Sequence, residues 1–229
     1  MGWMAKRRLR TGPTAALPAK PDQSKLLEIL KLADPDAKLD GADVVAADAR
    51  IHAAVEAEPD LVGGELEHVW ACRVQAEGPL PLDYFDRFLA EGVAYRLGGL
   101  SVCRGEVTDP AEVARGPIVI LPVRPAADEL KPLLGEVAHE EGEYGVETFT
   151  GETLKVVLVP RKDTSPMALT LMPYAAELTC VDILSLDGED DLLLERGALA
   201  LAIADAFQGV AVDQWRFRID APEDLLPPA

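Results

Sequence analysis

The residues of this chain that could do chemistry are few: three cysteines, three histidines and several acidic turns. A thiol nucleophile needs a base within hydrogen-bond reach and a pKa lowered by a cation or a helix N-terminus. Cys103, followed by Arg104 at the end of an apolar run, comes nearest to this description. A catalytic thiolate more commonly starts a helix, and free cysteines are commonly small buried hydrophobes. Packing is therefore the expected role of Cys103 and, still more, of Cys72 and Cys180. Their odd number and the lack of a C-x-x-C pair predict reduced thiols.

His52, His68 and His139 show no H-x-x-x-H spacing. A continuous helix through His139-Glu140-Glu141-Gly142-Glu143 would put His139 and Glu143 on one face, but Gly142 interrupts it. Structural zinc needs more sulfur and nitrogen ligands than this, so the segment reads as a solvated acidic helix end. Asp187 to Asp191 has the composition of a cation loop without EF-hand spacing, and its acids suit the first turn of the helix that follows. No P-loop, nucleophile elbow or dinucleotide fingerprint occurs. The expectation is no catalytic residue, no metal and no cofactor.

The 229 residues suit one large domain or two small ones, and 48% hydrophobic with 27% charged residues is a globular composition. Acidic residues number 40 against 22 basic, a net charge of -18. Residues 1–20 carry five basic residues and no acid, so the remainder holds 17 basic against 40 acidic, a net of -23. Such a surface repels phosphate backbones and predicts no nucleic-acid partner. No apolar run reaches the roughly 18 residues that span a bilayer, and the basic start lacks an apolar core like that of a secretory signal. The expectation is a cytoplasmic protein without membrane association.

Residues 1–23 read as a flexible basic N-terminal arm and 24–229 as a single acidic α+β domain. Within it, 24–60 form a helical prefix of two helices, one starting at Ser24 and one from Ala42 to Glu58. A first half covers 67–125 and a second 126–229. Two β-α-β units, at about 68–104 and 177–213, are set in a mixed or antiparallel sheet. A helix over 126–139, a hairpin turning at Gly151-Glu152 and a strand over Met167 to Met172 stand between them. Trp215-Arg216-Phe217-Arg218-Ile219 reads as a last strand, packed on one side and wet on the other, or as a small basic-aromatic patch.

Aligning Gly99 with Gly209, an offset of 110, superimposes the two β-α-β units without a gap, with Leu89 on Leu199, Ala94 on Ala204 and Val102 on Val212. Two readings stand: a duplication, which would give two ferredoxin-like halves, or the punctuation that any two β-α-β units of equal length share.

Three functions fit these features. The first is a non-catalytic interaction module whose acidic surface binds a basic protein, as acidic inhibitors and immunity proteins do. The stretch Ala198 to Asp213 is loosely similar to helix-strand endings of bacterial α+β proteins, some of them immunity-like. The second is a small-molecule enzyme using Cys103 or acidic-turn carboxylates. The third is a structural subunit whose basic arm threads onto an acidic neighbour. Oligomeric state is open.

Overall fold

The basic opening residues coil into a helix, α1 (Trp3–Thr11), and the short apolar run that follows, bracketed by Pro13 and Pro18, forms a fully buried strand, β1 (Thr14–Leu17). These residues belong to a computed structural model that describes 3–113, 116–161, 165–186 and 192–228. The chain divides into two units, 1–113 with 227–229, and 114–226. Both are α+β, with antiparallel sheets and several helices.

In the first unit β1 is followed by α2 (Gln23–Lys31), β2 (Lys38–Asp40), β3 (Asp43–Ala46), β4 (Ala49–Ile51), β5 (Val55–Ala57), β6 (Val69–Ala76), α3 (Phe85–Arg96), β7 (Leu100–Cys103) and β8 (Glu106–Thr108). The sheet order is β2-β3-β4-β6-β1-β7-β8, with β5 on β6 and every pair antiparallel. β1 lies between β6 and β7, so these two run the same way with α3 joining them and β1 splitting the pair. Leu9, Leu61 and Val62 close over Ala16, Ala71, Leu100 and Val102 on one face.

Two expectations are corrected here. The expected arm, residues 1–23, is not solvated over its described part, 3–23: Leu9 is buried, Arg10 Nη2 bonds Asp60 Oδ2 at 2.7 Å, Lys6 pairs with Glu58, and β1 is an interior strand of the sheet. Nor do residues 24–60 form a helical prefix. Only α2 is helical, capped by the Asp22 carboxylate on the N–H groups of Ser24 (2.9 Å) and Lys25 (3.1 Å). The stretch taken as the second helix folds as β3, β4 and β5, because Val44, Ala46, Ala49 and Ile51 alternate inward. Its hairpin turns at Ala47-Asp48, both with positive φ, and the buried Asp34 carboxylate accepts the Ala47 N–H at 2.6 Å.

The second unit runs β9 (Ile118–Leu121), α4 (Ala127–Leu134), β10 (Ala138–Glu141), β11 (Glu147–Thr150), β12 (Leu154–Arg161), α5 (Pro166–Leu171), β13 (Leu178–Ser185), α6 (Leu193–Ala206) and β14 (Val210–Val212). Its order, β10-β11-β12-β13-β9-β14, is that of β2-β3-β4-β6-β1-β7. Registers agree as well: Ala16 faces Ala71 and Leu100, as Ile120 faces Cys180 and Val210. Leu130, Leu193, Ala200 and Ile203 pack against Val119, Leu121, Val156, Leu158, Val181 and Ile183. Met167, Ala168 and Met172 pack beside Ile120, Cys180, Val210 and Val212.

Here too the structure departs from expectation. Met167 to Met172 is largely the helix α5, started by Pro166 at a position where its missing N–H costs nothing. The helix over 126–139 ends at Leu134, before Gly135, and His139 lies in β10. Trp215 to Ile219 forms no strand, only a bridge between Arg218 and Val212, and Arg216 is buried along with Trp215, Phe217 and Ile219. The acidic turn at Asp187–Asp191 lies outside the described residues. Five strands lie between α2 and α3 in the first unit and four between α4 and α6 in the second, where a ferredoxin-like half would have two between its helices.

Each split unit closes through one glycine. A Cβ at Gly99 would strike the Ala16 carbonyl and Leu17, and one at Gly209 the Ile120 carbonyl and Leu121. Gly99→Ala and Gly209→Ala are each expected to lower stability by about 1–3 kcal/mol in urea unfolding, with overpacking against backbone as the cause.

Candidate functional site

The first unit holds a cleft of about 660 Å³ between the N-terminal half of α3 and the β7-β8 turn, lined by Tyr84, Arg87, Phe88, Glu91, Cys103 and Arg104 among others. Helical spacing sets two of these side chains. Arg87 and Glu91 are four apart, so they share a face, and Arg87 Nε donates to Glu91 Oε1 at 2.6 Å. Glu91 is buried, so this pair forms a fixed wall of the cleft. Cys103 and Glu106 face each other across a two-residue turn at Arg104-Gly105, whose φ values of 54° and 86° fit a turn matched to strand twist. That turn puts the exposed Arg104 guanidinium at the rim.

Cys103 is half-buried, whereas Cys72 and Cys180 are fully buried, and all three are free. Burial pushes the Cys103 thiol up, and the nearby Arg87 and Arg104 charges, which pull it down, do not offset this. Asp86 and Glu91 push the same way as burial. The residues lining the cleft include no histidine. What the arrangement supplies at neutral pH is a neutral thiol beside two cations and three carboxylates, with no histidine in the cleft to activate it. Burial alone lifts Cys72 to about 12.

Two of the three histidines, His139 and His52, are held by carboxylates on the sheets, and His68 is exposed. His139 Nε2 lies 2.9 Å from Glu147 Oε2 and its ring stacks on Phe149 at 4.5 Å. The other oxygen of Glu147 accepts from Arg124, whose Nε is 3.1 Å away. Burial raises the Glu147 pKa, but the hydrogen bonds and charges of Arg124 and His139 outweigh it and hold the carboxyl below its ordinary value. His139 and Glu143 do not converge as a helix face: Glu147 is the partner His139 meets. His52 Nδ1 lies 3.2 Å from Asp43 Oδ2, and Arg50 bridges Asp40, Asp43 and Glu77. Among the described residues no group of three His, Cys, Asp or Glu side chains could hold a metal ion.

Trp215 and Phe217 are buried and make no basic-aromatic surface. Charge is uneven between the units: 114–226 holds 9 basic and 21 acidic residues, a net of -12, against 13 and 19, a net of -6, in the rest. Glu136, Glu140, Glu141 and Glu143 are all exposed on or beside β10, the edge strand of the second sheet. Among the described residues no helix is long and apolar enough to cross a membrane. No known family model, curated protein or solved structure matches the chain.

Two measurements check these assignments. The alkylation rate of Cys103 with iodoacetamide, followed by peptide mass spectrometry, is expected to rise with pH to a midpoint above the ordinary 9.0. Because Glu147 titrates lower in the folded chain than the ordinary 4.5, its ionised form stabilises the fold above that value. This contribution disappears as pH falls through the folded pKa. Arg124→Gln is expected to cost about 1 kcal/mol at pH 7 in urea unfolding, with the gap to the parent protein closing in acid.

Proposed function

We propose that this chain is a non-catalytic cytosolic interaction module, built from two copies of one α+β unit, whose acidic surface binds a basic protein partner in the manner of an inhibitor or immunity protein. The observation that carries the reading is the acidic edge of the second unit. Glu136, Glu140, Glu141 and Glu143 stand in solvent along β10, and Tyr144, 93% exposed, projects beside them. Clustered charge speeds and selects encounter with an oppositely charged surface, and an exposed aromatic supplies the anchor that charge alone does not. The outer side of β10 also offers unpaired backbone groups to an extended segment.

Duplication is supported by residues as well as by topology. Gly12-Pro13, Leu17-Pro18, Lys20 and Pro21 recur 104 positions on as Gly116-Pro117, Leu121-Pro122, Arg124 and Pro125. A Cβ at Gly12 would meet the Arg73 guanidinium, and one at Gly116 that of Arg196. Arg73 on β6 and Asp86 on α3 correspond to Asp182 on β13 and Arg196 on α6, with the charges exchanged. Opposite charges at two matched positions, in swapped order, support a common origin for the two units. The three free cysteines fit a reducing compartment.

The test is retention of a basic protein on the immobilised chain from an extract of its source, washed at about 0.05 M and about 0.5 M salt. Retention at low salt, release at high salt and loss of both in the Glu136→Gln, Glu140→Gln, Glu141→Gln, Glu143→Gln variant are expected. Retention indifferent to salt or to these substitutions overturns the reading.

A further inference from the structure

Beyond β10 the second sheet has no further strand, and the ladder on the inner side of β10 decides which of its backbone groups are left over. Gly142 N–H bonds the Val146 carbonyl at 2.7 Å, and the register continues as Glu141 to Glu147, Glu140 to Thr148, His139 to Phe149 and Ala138 to Thr150. Antiparallel pairs alternate between bonded and non-bonded. Glu140 and Ala138 therefore bond β11, while the N–H and C=O groups of His139 and Glu141 point away from it. The neighbouring ladder agrees. Gly151 N–H bonds the Leu154 carbonyl at 2.9 Å, so Phe149 and Glu147 bond β12 and leave Thr148 and Thr150 to bond β10. The close stack of His139 on Phe149, 4.5 Å between ring centres, is what a non-bonded pair allows. Among the described residues the outward groups of His139 and Glu141 have no backbone partner.

The acidic side chains of this edge are as free as its backbone. Glu136, Glu140, Glu141 and Glu143 are exposed and form no ion pair among the described residues. The basic side chains Arg124 and His139 both turn to Glu147 instead. The scaffold does not require such charge: at the matching edge of the first unit, β2 carries one lysine and one aspartate, Lys38 and Asp40. An open edge invites strands at large, and charge is a common defence against them. Here the carboxylates repel a second copy of β10, whose own glutamates would lie opposite them. The same carboxylates attract a strand of positive charge.

We infer that β10 takes its basic partner by strand addition. An extended basic segment of that protein pairs antiparallel with the open edge, exchanges backbone hydrogen bonds with His139 and Glu141, and sets two consecutive basic residues opposite Glu141 and Glu140. The inference rests on the acidic β10 edge as the docking surface and adds the form of the partner. Antiparallel is the sense of every pair in this sheet. Residues directly opposite share a face, so the basic residue facing Glu141 lies on the side of Glu147 and the next, facing Glu140, on the other side. A β-branched residue facing His139 packs beside the ring that stacks on Phe149, and a basic residue three positions further on reaches Glu136. Backbone pairing supplies the affinity and charge selects the strand. A patch of carboxylates alone would accept any basic surface, whereas this edge requires an extended one.

The probe is the acetylated and amidated peptide Thr-Arg-Lys-Val-Thr-Val-Lys, whose arginine faces Glu141, titrated onto the full chain by calorimetry in about 0.05 M salt. A Kd below about 1 mM is expected, with exchange of the His139 and Glu141 amide protons slowed at least about fivefold in the complex. Methyl groups on the amide nitrogens of the arginine and the first valine, which face β10, are expected to weaken binding at least about tenfold. Methyl groups on those of the first lysine and the second threonine, at the same charge, are expected to weaken it less than about threefold. On the chain, Glu141→Pro removes an outward N–H that the ladder does not use, and is expected to weaken binding at least about fivefold beyond Glu141→Gln. No binding at about 2 mM peptide, or equal binding of the two methylated peptides, overturns strand addition. Salt-sensitive retention of a basic protein that is equal in Glu141→Pro and Glu141→Gln overturns it too, while leaving the acidic surface as the docking site. Failure of that broader reading shows instead as retention indifferent to salt and to the glutamine substitutions.

Discussion

The close approach of a helix-exit strand to an interior strand is the constraint on which each unit depends. β7 can lie beside β1, and β14 beside β9, only because the residue before each of these strands, Gly99 or Gly209, has no side chain. The geometry just before it is the same in both units. Leu97 and Phe207 leave the helix with φ of -114° and -116°, Gly98 and Gln208 follow with positive φ, and the next N–H bonds back to Ala94 or Ala204 at 2.8 Å. With that contact made, the strand before the helix and the strand after it hold the interior strand between them. The remaining strands add outward from β6 and β13, except β8, which adds to β7.

Much of this is readable from the residues, and the failures have physical causes. The strand-helix-strand segments at 69–103 and 178–212 are long, strongly patterned and closed by glycine, so β6, α3, β7, β13, α6 and β14 are legible. β1 is not, because four small buried residues between prolines carry no periodicity and follow a basic stretch that resembles a tail. The residues from Ala42 to Glu58 mislead because alanine and valine spaced for short strands also satisfy a loose helical pattern, and the decisive signal is a turn at Ala47-Asp48 held by Asp34 from outside the segment. Met167 to Met172 reads as a strand because a short run of five apolar residues around Thr170 fits either element. At the candidate site the sequence points only to Cys103 and Arg104; the i, i+4 spacing of Arg87 and Glu91 is common on helix surfaces and marks no site by itself. That this pair bounds a cleft depends on the β7-β8 turn, which no local pattern joins to it.

Electrostatics in the molecule divides into two kinds. Some charges are consumed in the fold: Arg10 with Asp60, Arg50 with three carboxylates, Glu147 between Arg124 and His139. Others, along β10, are spent on solvent. A net of -18 therefore says little by itself, because acids tied to cations contribute nothing outward, and it is the distribution of the untied ones that shapes the outer field.

The place of β1 near the start of the chain has a consequence for synthesis. Thr14 pairs with Arg73 and Val102, so the strand waits for partners made some sixty and ninety residues later. Until they emerge from the ribosome, its backbone groups and its alanines have no sheet to enter. Contacts of such separation fold slowly and leave an early, sticky strand in the nascent chain. The lysine and arginines of α1 immediately upstream are the kind of charged flank that opposes misassociation of such a strand.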